Sequence, residues 1–371
     1  MAKKRLNLCA LLLALTFLLT GCWDASDVNN LNLSTMVILD KQDGKFTFTV
    51  EIAKIAPSGN GGSGGTRQVY VKGSGSSFAD ARDNLDMKLD QPLYLATVRS
   101  LVITEHAAEN DLAEYLFRLR EDQSYRQKVY ITITDEDPDA LTKAENETEQ
   151  PAGFVIDDTI HTAIDLGHTF AITTVNLINA ILAKRSFLVQ HIGLADNQIM
   201  LTGYSVFRDA KLVGFIPMEG AHGLAYLLTE PPVWVYRMVG SEMSYTVEAQ
   251  MTGKRIQPMY SDGKIRFQVQ LDFDAMVQYP NEVHLFPLND ARKQEVSETL
   301  SAMLKREVEN TVRQSQEEFQ CDYLMFGEAF RLTYPDAFEQ MDWNAEYLNA
   351  EFEVSVSVDV AVSDKLDLEA D

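Results

Sequence analysis

The residues of this chain best placed to do chemistry come at its start, where an apolar run ends in Leu19-Thr20-Gly21-Cys22. A cysteine set directly behind small residues at the end of such a run is the arrangement of a bacterial lipobox. Lys3, Lys4 and Arg5 form a basic start, and residues 6–20 are uncharged and rich in leucine. This is the layout of a secretory signal, too short for a comfortable membrane span. In such a signal the Cys22 thiol takes a diacylglyceryl group, the chain is cut between Gly21 and Cys22, and the new amino terminus is open to acylation. One acyl chain holds a protein only marginally at a bilayer, and at ~0.8 kcal/mol per buried CH₂ a second makes the anchor lasting. Cys22 is therefore the expected lipid-attachment site. An uncleaved anchor helix or a plain signal with an incidental cysteine fits less well, because the cysteine stands where cleavage must fall.

No other group of residues has the spacing of a catalytic or metal site. Residues 57–66 (PSGNGGSGGT) lack G-x-x-x-x-G-K-[ST], and G-x-G-x-x-G fails at Gly73-Ser74-Gly75, so the first reads as a solvated linker. The six histidines include no H-E-x-x-H; His161 and His168, seven apart, could share a helix face but lack a third ligand. Asp135-Glu136-Asp137-Pro138-Asp139 reads as a solvated turn rather than a calcium loop. Asp157 and Asp158 are neighbours in sequence and point apart. There is no G-x-S-x-G. The expectation is a protein that is not an enzyme and uses no cofactor and no metal.

Of the three cysteines, Cys9 leaves with the signal and Cys22 carries lipid, so Cys321 has no intramolecular partner and reads as a half-buried packing residue. Loss of residues 1–21 moves the formal charge from −23 to −26. Such a surface repels phosphate backbones and anionic head groups, which argues against nucleic acid as a partner. An apolar fraction of 46% is enough for real cores at this length.

The elements that must position everything else alternate along the chain. Strands are expected at 34–40 and 45–54 around an Asp43-Gly44 turn, then at 68–73, 97–104 and 129–133. Ser77 with Asp80 reads as a capping box ahead of a helix whose face is Phe78, Ala81, Leu85 and Leu89. Leu112, Tyr115, Leu116 and Leu119 mark another helix, and helical patterns follow at 154–166 and 173–184. A hairpin at 203–217, a short helix at 221–228 and strands at 245–250 and 264–273 come next. The clearest helix runs over 290–319, with Val296, Leu300, Met303, Leu304, Val308, Val312 and Phe319 in its stripe. The clearest strand is 351–362, one face valine and the other polar, as in an antiparallel sheet backed by that helix. The fold class is α+β, with three consecutive small domains, each a mixed or antiparallel sheet packed with helices. The divisions fall at 1–21 for the signal, 22–195, 196–285 and 286–371.

Several segments, in order, resemble the Ger(x)C family of spore germination lipoproteins, the C subunits of nutrient germinant receptors. They are Gly21-Cys22-Trp23-Asp24, the glycine-rich strand and helix over 71–89 (VKGSGSSFADARDNLDMKL), and the hairpin over 203–214 (GYSVFRDAKLVG). The most specific is 304–335, in which Phe326-Gly327-Glu328-Ala329-Phe330 and Tyr334-Pro335 fall in the family's order. The stretch before Asp40 lacks the glycine usual there, and Cys321 replaces a typically polar position. The resemblance implies three α+β domains and an accessory subunit on the outer face of the spore inner membrane. It also implies two integral-membrane receptor subunits as partners. The sequence does not say whether a small-molecule germinant touches this chain.

Phe326 and Phe330 stand four apart and share a face if helical, so packing of the long helix on the last sheet is their favoured role. A partner-contact patch of Phe326, Glu328 and Phe330 is the sharper alternative. Two other functions compete with the receptor reading. A solute-binding lipoprotein of a transporter would need two large lobes around a cleft. An envelope hydrolase would need a catalytic constellation that is missing from the sequence.

Overall fold

The computed structural model describes residues 30–55, 66–121, 125–126, 128–144, 150–229, 233–239, 244–280 and 289–362. The expected signal segment with Cys22, most of the glycine-rich loop and the acidic tail lie outside them. Among the described residues the strands form two sheets.

The first sheet begins with β1 (Asn32–Gln42) and β2 (Lys45–Ile55), antiparallel around Asp43-Gly44. Both turn residues have positive φ (51° and 73°), which is what a two-residue hairpin of this twist requires. β3 (Thr66–Gly75) pairs with the far edge of β2, and β4 (Leu93–Tyr94) touches β1. β5 (Ser100–Thr104), β6 (Tyr130–Thr134) and β7 (Phe187–Ala195) run parallel to β1. β8 (Gln198–Arg208) and β9 (Lys211–Pro217) close the sheet antiparallel, in the order β3-β2-β1-β5-β6-β7-β8-β9. The 195/196 division drawn from the sequence thus falls at the turn between two paired strands, and residues 198–217 extend the first sheet.

A sheet with a parallel centre must be covered on both faces. Helices α1 (Phe78–Asp86) and α2 (Glu105–Glu121) cover one face, and α3 (Ala152–Asp165) covers the other. α4 (Thr174–Leu182) packs on the α1 and α2 side. The Ser77 hydroxyl accepts the Asp80 N–H at 3.2 Å, as the capping pattern predicts, and buries Phe78, Ala81 and Leu85 behind it. Leu89 lies beyond the end of that helix and packs from the following turn. On the other face Ile156 and Ile160 of α3 sit on Met36, Ile38, Val102 and Ile192. Shortening either isoleucine to alanine would cost about 2–5 kcal/mol. α3 comes so close to β1 that a Cβ at Gly153 would stand 2.2 Å from the Thr35 carbonyl oxygen.

The second sheet is β10 (Val233–Val239), β11 (Ser244–Ser261), β12 (Lys264–Pro280) and β13 (Glu351–Val362), paired in that order. α5 (His222–Leu228) precedes it, and α6 (Asp290–Arg313) lies against β13. The Asn289 side chain caps α6 by accepting the Arg292 N–H at 3.0 Å. Its expected stripe is buried except for the half-buried Met303, but the α-helix ends at Arg313 and continues as one π-helical stretch, Gln314–Glu318, so that Phe319 packs from just beyond it. Three short helices follow: α7 (Phe326–Thr333), α8 (Pro335–Glu339) and α9 (Trp343–Tyr347). β13 has the predicted bounds and alternation, but it pairs parallel to β12 rather than antiparallel. Its valine face reports burial only. The helical crossover from β12 brings the chain back to start β13 at the same end of the sheet, which dictates a parallel rung.

Candidate functional site

The segment singled out in the sequence, Phe326-Gly327-Glu328-Ala329-Phe330, forms the start of α7. Met325 precedes it at φ 65°, so the chain reverses sharply there and offers no capping side chain of its own. Asp322 fills that role from four and five residues upstream of the N–H groups it caps. Its Oδ1 accepts the Phe326 N–H at 3.1 Å, and its Oδ2 accepts the Gly327 N–H at 2.6 Å. The same Oδ2 accepts the Trp343 indole N–H of α9 at 2.9 Å. One buried carboxylate therefore ties two helices together. Burial pushes the Asp322 carboxyl above its ordinary range, against the downward pull of these N–H donors.

Gly327 is required by the same geometry, since a Cβ there would lie 2.5 Å from the Trp343 ring nitrogen. Phe326 and Phe330 point inward and are fully buried. Phe326 packs on Phe352 with ring centroids 4.7 Å apart, and Phe330 on Trp343 at 5.2 Å. Such pairs add about 0.5–1.5 kcal/mol each beyond the area they bury. Of the three residues named for partner contact, Glu328 is the one on the surface. It accepts from Arg331 at 2.6 and 3.2 Å and faces Arg185 at 3.8 Å. The Arg331 hydrogen bonds hold its carboxyl below the usual carboxylate range.

Beside this rim lies a groove of about 680 Å³ between α4 and β7 on one side and α7 to α9 on the other. Ile172, Leu177, Leu188, Met325, Phe338 and Trp343 give it a largely apolar wall. Arg185, Glu328 and Arg331 supply the charge at its edge. The groove offers shape and apolar surface. Its neighbour Cys321 is buried against Ser186, and desolvation pushes the thiol up to about 11, so it is a packing residue with little thiolate.

The remaining sequence candidates are dispersed. His161 sits on α3 edge-on to Tyr130, while His168 comes after the helix has ended, so the two do not share a face. Asp137 caps the single helical turn Pro138–Leu141, and Glu136 accepts the Leu194 N–H at 2.9 Å, so that acidic run is a structural turn. Among the described residues no group of three His, Cys, Asp or Glu side chains is placed to hold a metal.

Two buried polar groups have no counterpart in the sequence reading. Glu51 on β2 is fully buried and accepts four donors: Thr35 Oγ1, Tyr70 Oη and the N–H groups of Ala152 and Gly153, at 2.7–2.9 Å. It is the anion at the N-terminus of α3. His191 on β7 sits against Phe215, with Nδ1 at 2.7 Å from the Thr202 hydroxyl and Nε2 turned toward Glu105 and Asp135. Burial holds its pKa below the ordinary value.

The architecture, a large mixed sheet followed by a long-stranded sheet closed by a parallel edge strand, is that of a solved α+β protein. The crystal structure of the GerBC protein superposes with a TM-score of 0.59 at 13% identity, covering 87% of this chain and 96% of that one. The sequence places the chain more closely. Residues 24–194 match the spore germination protein N-terminal domain, and residues 202–363 match the spore germination B3/GerAC-like C-terminal domain. The chain belongs to this family of spore germination proteins. It is similar to the spore germination protein YndF of Bacillus subtilis (strain 168), 23% identical over 96% of each chain. It is also similar to the spore germination proteins B3 and A3 of the same organism. These are 20% identical over 91% of this chain and 93% of B3, and 24% over 72% of this chain and 73% of A3.

Proposed function

We propose that this chain is a lipid-anchored, non-catalytic accessory subunit of a spore nutrient germinant receptor. The observation that carries the reading is the junction at its start. The match to the germination family begins at residue 24, two residues after the lipobox cysteine. In this reading the family fold follows the acylation site directly, with no intervening domain between Cys22 and the fold.

In this reading the diacylglyceryl group on Cys22 holds the folded part on the outer face of the spore inner membrane. It works there beside two integral-membrane subunits, and its mechanism is positional. Tethering replaces a three-dimensional search by a local one and raises the effective concentration of the fold next to its partners. The structural residues described above hold a rigid surface for that contact.

The test is Cys22→Ala in the full chain, expressed in sporulating cells that lack the native copy. The expected result is a folded protein in the soluble fraction together with loss of the germination response to nutrients. Normal germination with the protein released from the membrane would overturn the positional mechanism.

A further inference from the structure

A second cavity, of about 580 Å³, lies at the N-terminal ends of β5 and β6 and shares Ala171 and Asn176 with the lining of the groove at α7. Its wall carries Arg99, Arg126, Lys128, Tyr130, His161 and Asn176. Three cations converging on one concavity stand out in a chain with a formal charge of −23.

The carboxylate in that wall is already engaged. Asp157 is buried and holds Arg99 Nε at 2.8 Å, and the Arg99 guanidinium also lies 5.3 Å from the Phe154 ring centroid. These two contacts hold the guanidinium at the cavity wall. Among the described residues Arg126 and Lys128 make no ion pair, so the described lining carries an excess of positive charge. Asn176 accepts from the Thr173 N–H at 3.0 Å and the Thr173 hydroxyl at 2.6 Å through Oδ1. That assignment leaves its amide nitrogen as a donor at the first turn of α4. Tyr130 Oη and His161 Nε2, 3.5 Å apart, complete the polar wall.

An arginine held at the wall, two exposed cations and an amide donor in a concave site form a donor set for a tetrahedral oxyanion. The cavity is far too small for a nucleic-acid duplex but has room for a phosphate and a small substituent on it. We propose that this cavity binds a phosphate group, either free or carried on a phospholipid head group. Arg99 and Asn176 orient the oxyanion, and Arg126 and Lys128 supply its charge balance.

The experiment measures binding by isothermal titration calorimetry to the full chain in neutral detergent. Two probes are used, inorganic phosphate and the soluble lipid dihexanoylphosphatidylglycerol. Each is titrated into the wild type, into R126Q/K128Q, and into K305Q as a charge control on a distant helix. Arg126 and Lys128 are exposed and make no ion pair among the described residues, so the double variant keeps its fold, which circular dichroism checks. One-site phosphate binding that weakens about tenfold or more in the double variant and not in K305Q supports the free-anion source. The same pattern with the lipid alone supports the head-group source. Failure of both probes to bind, or equal binding by wild type and double variant, would overturn the proposal.

Discussion

Replacing Asp322 by asparagine tests whether one carboxylate holds the C-terminal helices together. The side chain keeps its shape but loses its charge and turns one acceptor into a donor. With the amide oxygen in the Oδ2 position, Gly327 and Trp343 keep a neutral acceptor, but the Phe326 N–H faces an NH₂ group. With the amide reversed, two buried donors lose their acceptor instead of one. A hydrogen bond to a charged group contributes about 1.5–3 kcal/mol, and an unsatisfied buried donor costs a similar amount. Relief from burying the charge offsets part of this, as the upward push on the Asp322 carboxyl indicates. The net expectation is a loss of about 2–4 kcal/mol. Urea unfolding followed by far-ultraviolet circular dichroism reads the loss as a lower midpoint at unchanged slope. Trp343 gives an independent signal, because its indole N–H bonds the same oxygen. A midpoint within error of wild type, with unchanged tryptophan emission, would refute the assignment of Asp322 as the cap.

Three other perturbations follow from the same reasoning. Glu51→Gln leaves either the Ala152 or the Gly153 N–H facing an amide donor, since the hydroxyls of Thr35 and Tyr70 can turn but a backbone N–H cannot. A loss of about 1–3 kcal/mol is expected in urea unfolding, and none would show that α3 needs no anion there. Cys321 in the folded chain should react with iodoacetamide at pH 8 far more slowly than in urea. A thiol near 11 rather than 9 carries roughly a hundredfold less thiolate, so equal rates would contradict its burial. For His191 the folded pKa is lowered by burial, so the unfolded chain binds the proton first as pH falls below about 6.5. Stability is therefore lost on acidification through that range. His191→Gln should flatten the pH dependence of the urea midpoint between 7 and 5, and an unchanged profile would refute the shift.

Elements that bury one face and wet the other were legible from residue spacing alone. β13 has the bounds its alternation predicts, and α6 opens at the predicted cap with the predicted stripe. β7 was missed because Phe187 to Gly193 is buried along both faces, which removes the alternation that marks a strand. β11 and β12 are far longer than 245–250 and 264–273; in β11, Lys254 and Arg255 read as a polar interruption although both stand in a continuous ladder opposite Leu271 and Gln270. The partner direction of β13 is a property of the crossover, which its own residues do not encode. At the candidate site, the inward packing of Phe326 and Phe330 follows from their spacing. Asp322 does not, because its donors come from Gly327 and from Trp343, 21 residues away. Glu51 was hidden for a similar reason. Its neighbours Val50 and Ile52 mark the core face, and the opposite face looks like a wet one until α3 is folded over it.

The hairpin of β7 and β8 has a consequence for the order in which the molecule is made. The two family halves meet within it, yet its strands belong to one sheet. A chain emerging N-terminus first can assemble β1 to β6 early, but β7 presents a bare row of N–H and C=O groups until β8 arrives. α2 in turn packs against β9, the last strand of that sheet. The first sheet is therefore complete only when residue 217 has emerged. Arg208 and Gly214, on its final strands, then meet Phe319 a hundred residues later. A polypeptide stopped at the apparent midpoint of its sequence would be an open, adhesive edge and not half of a protein.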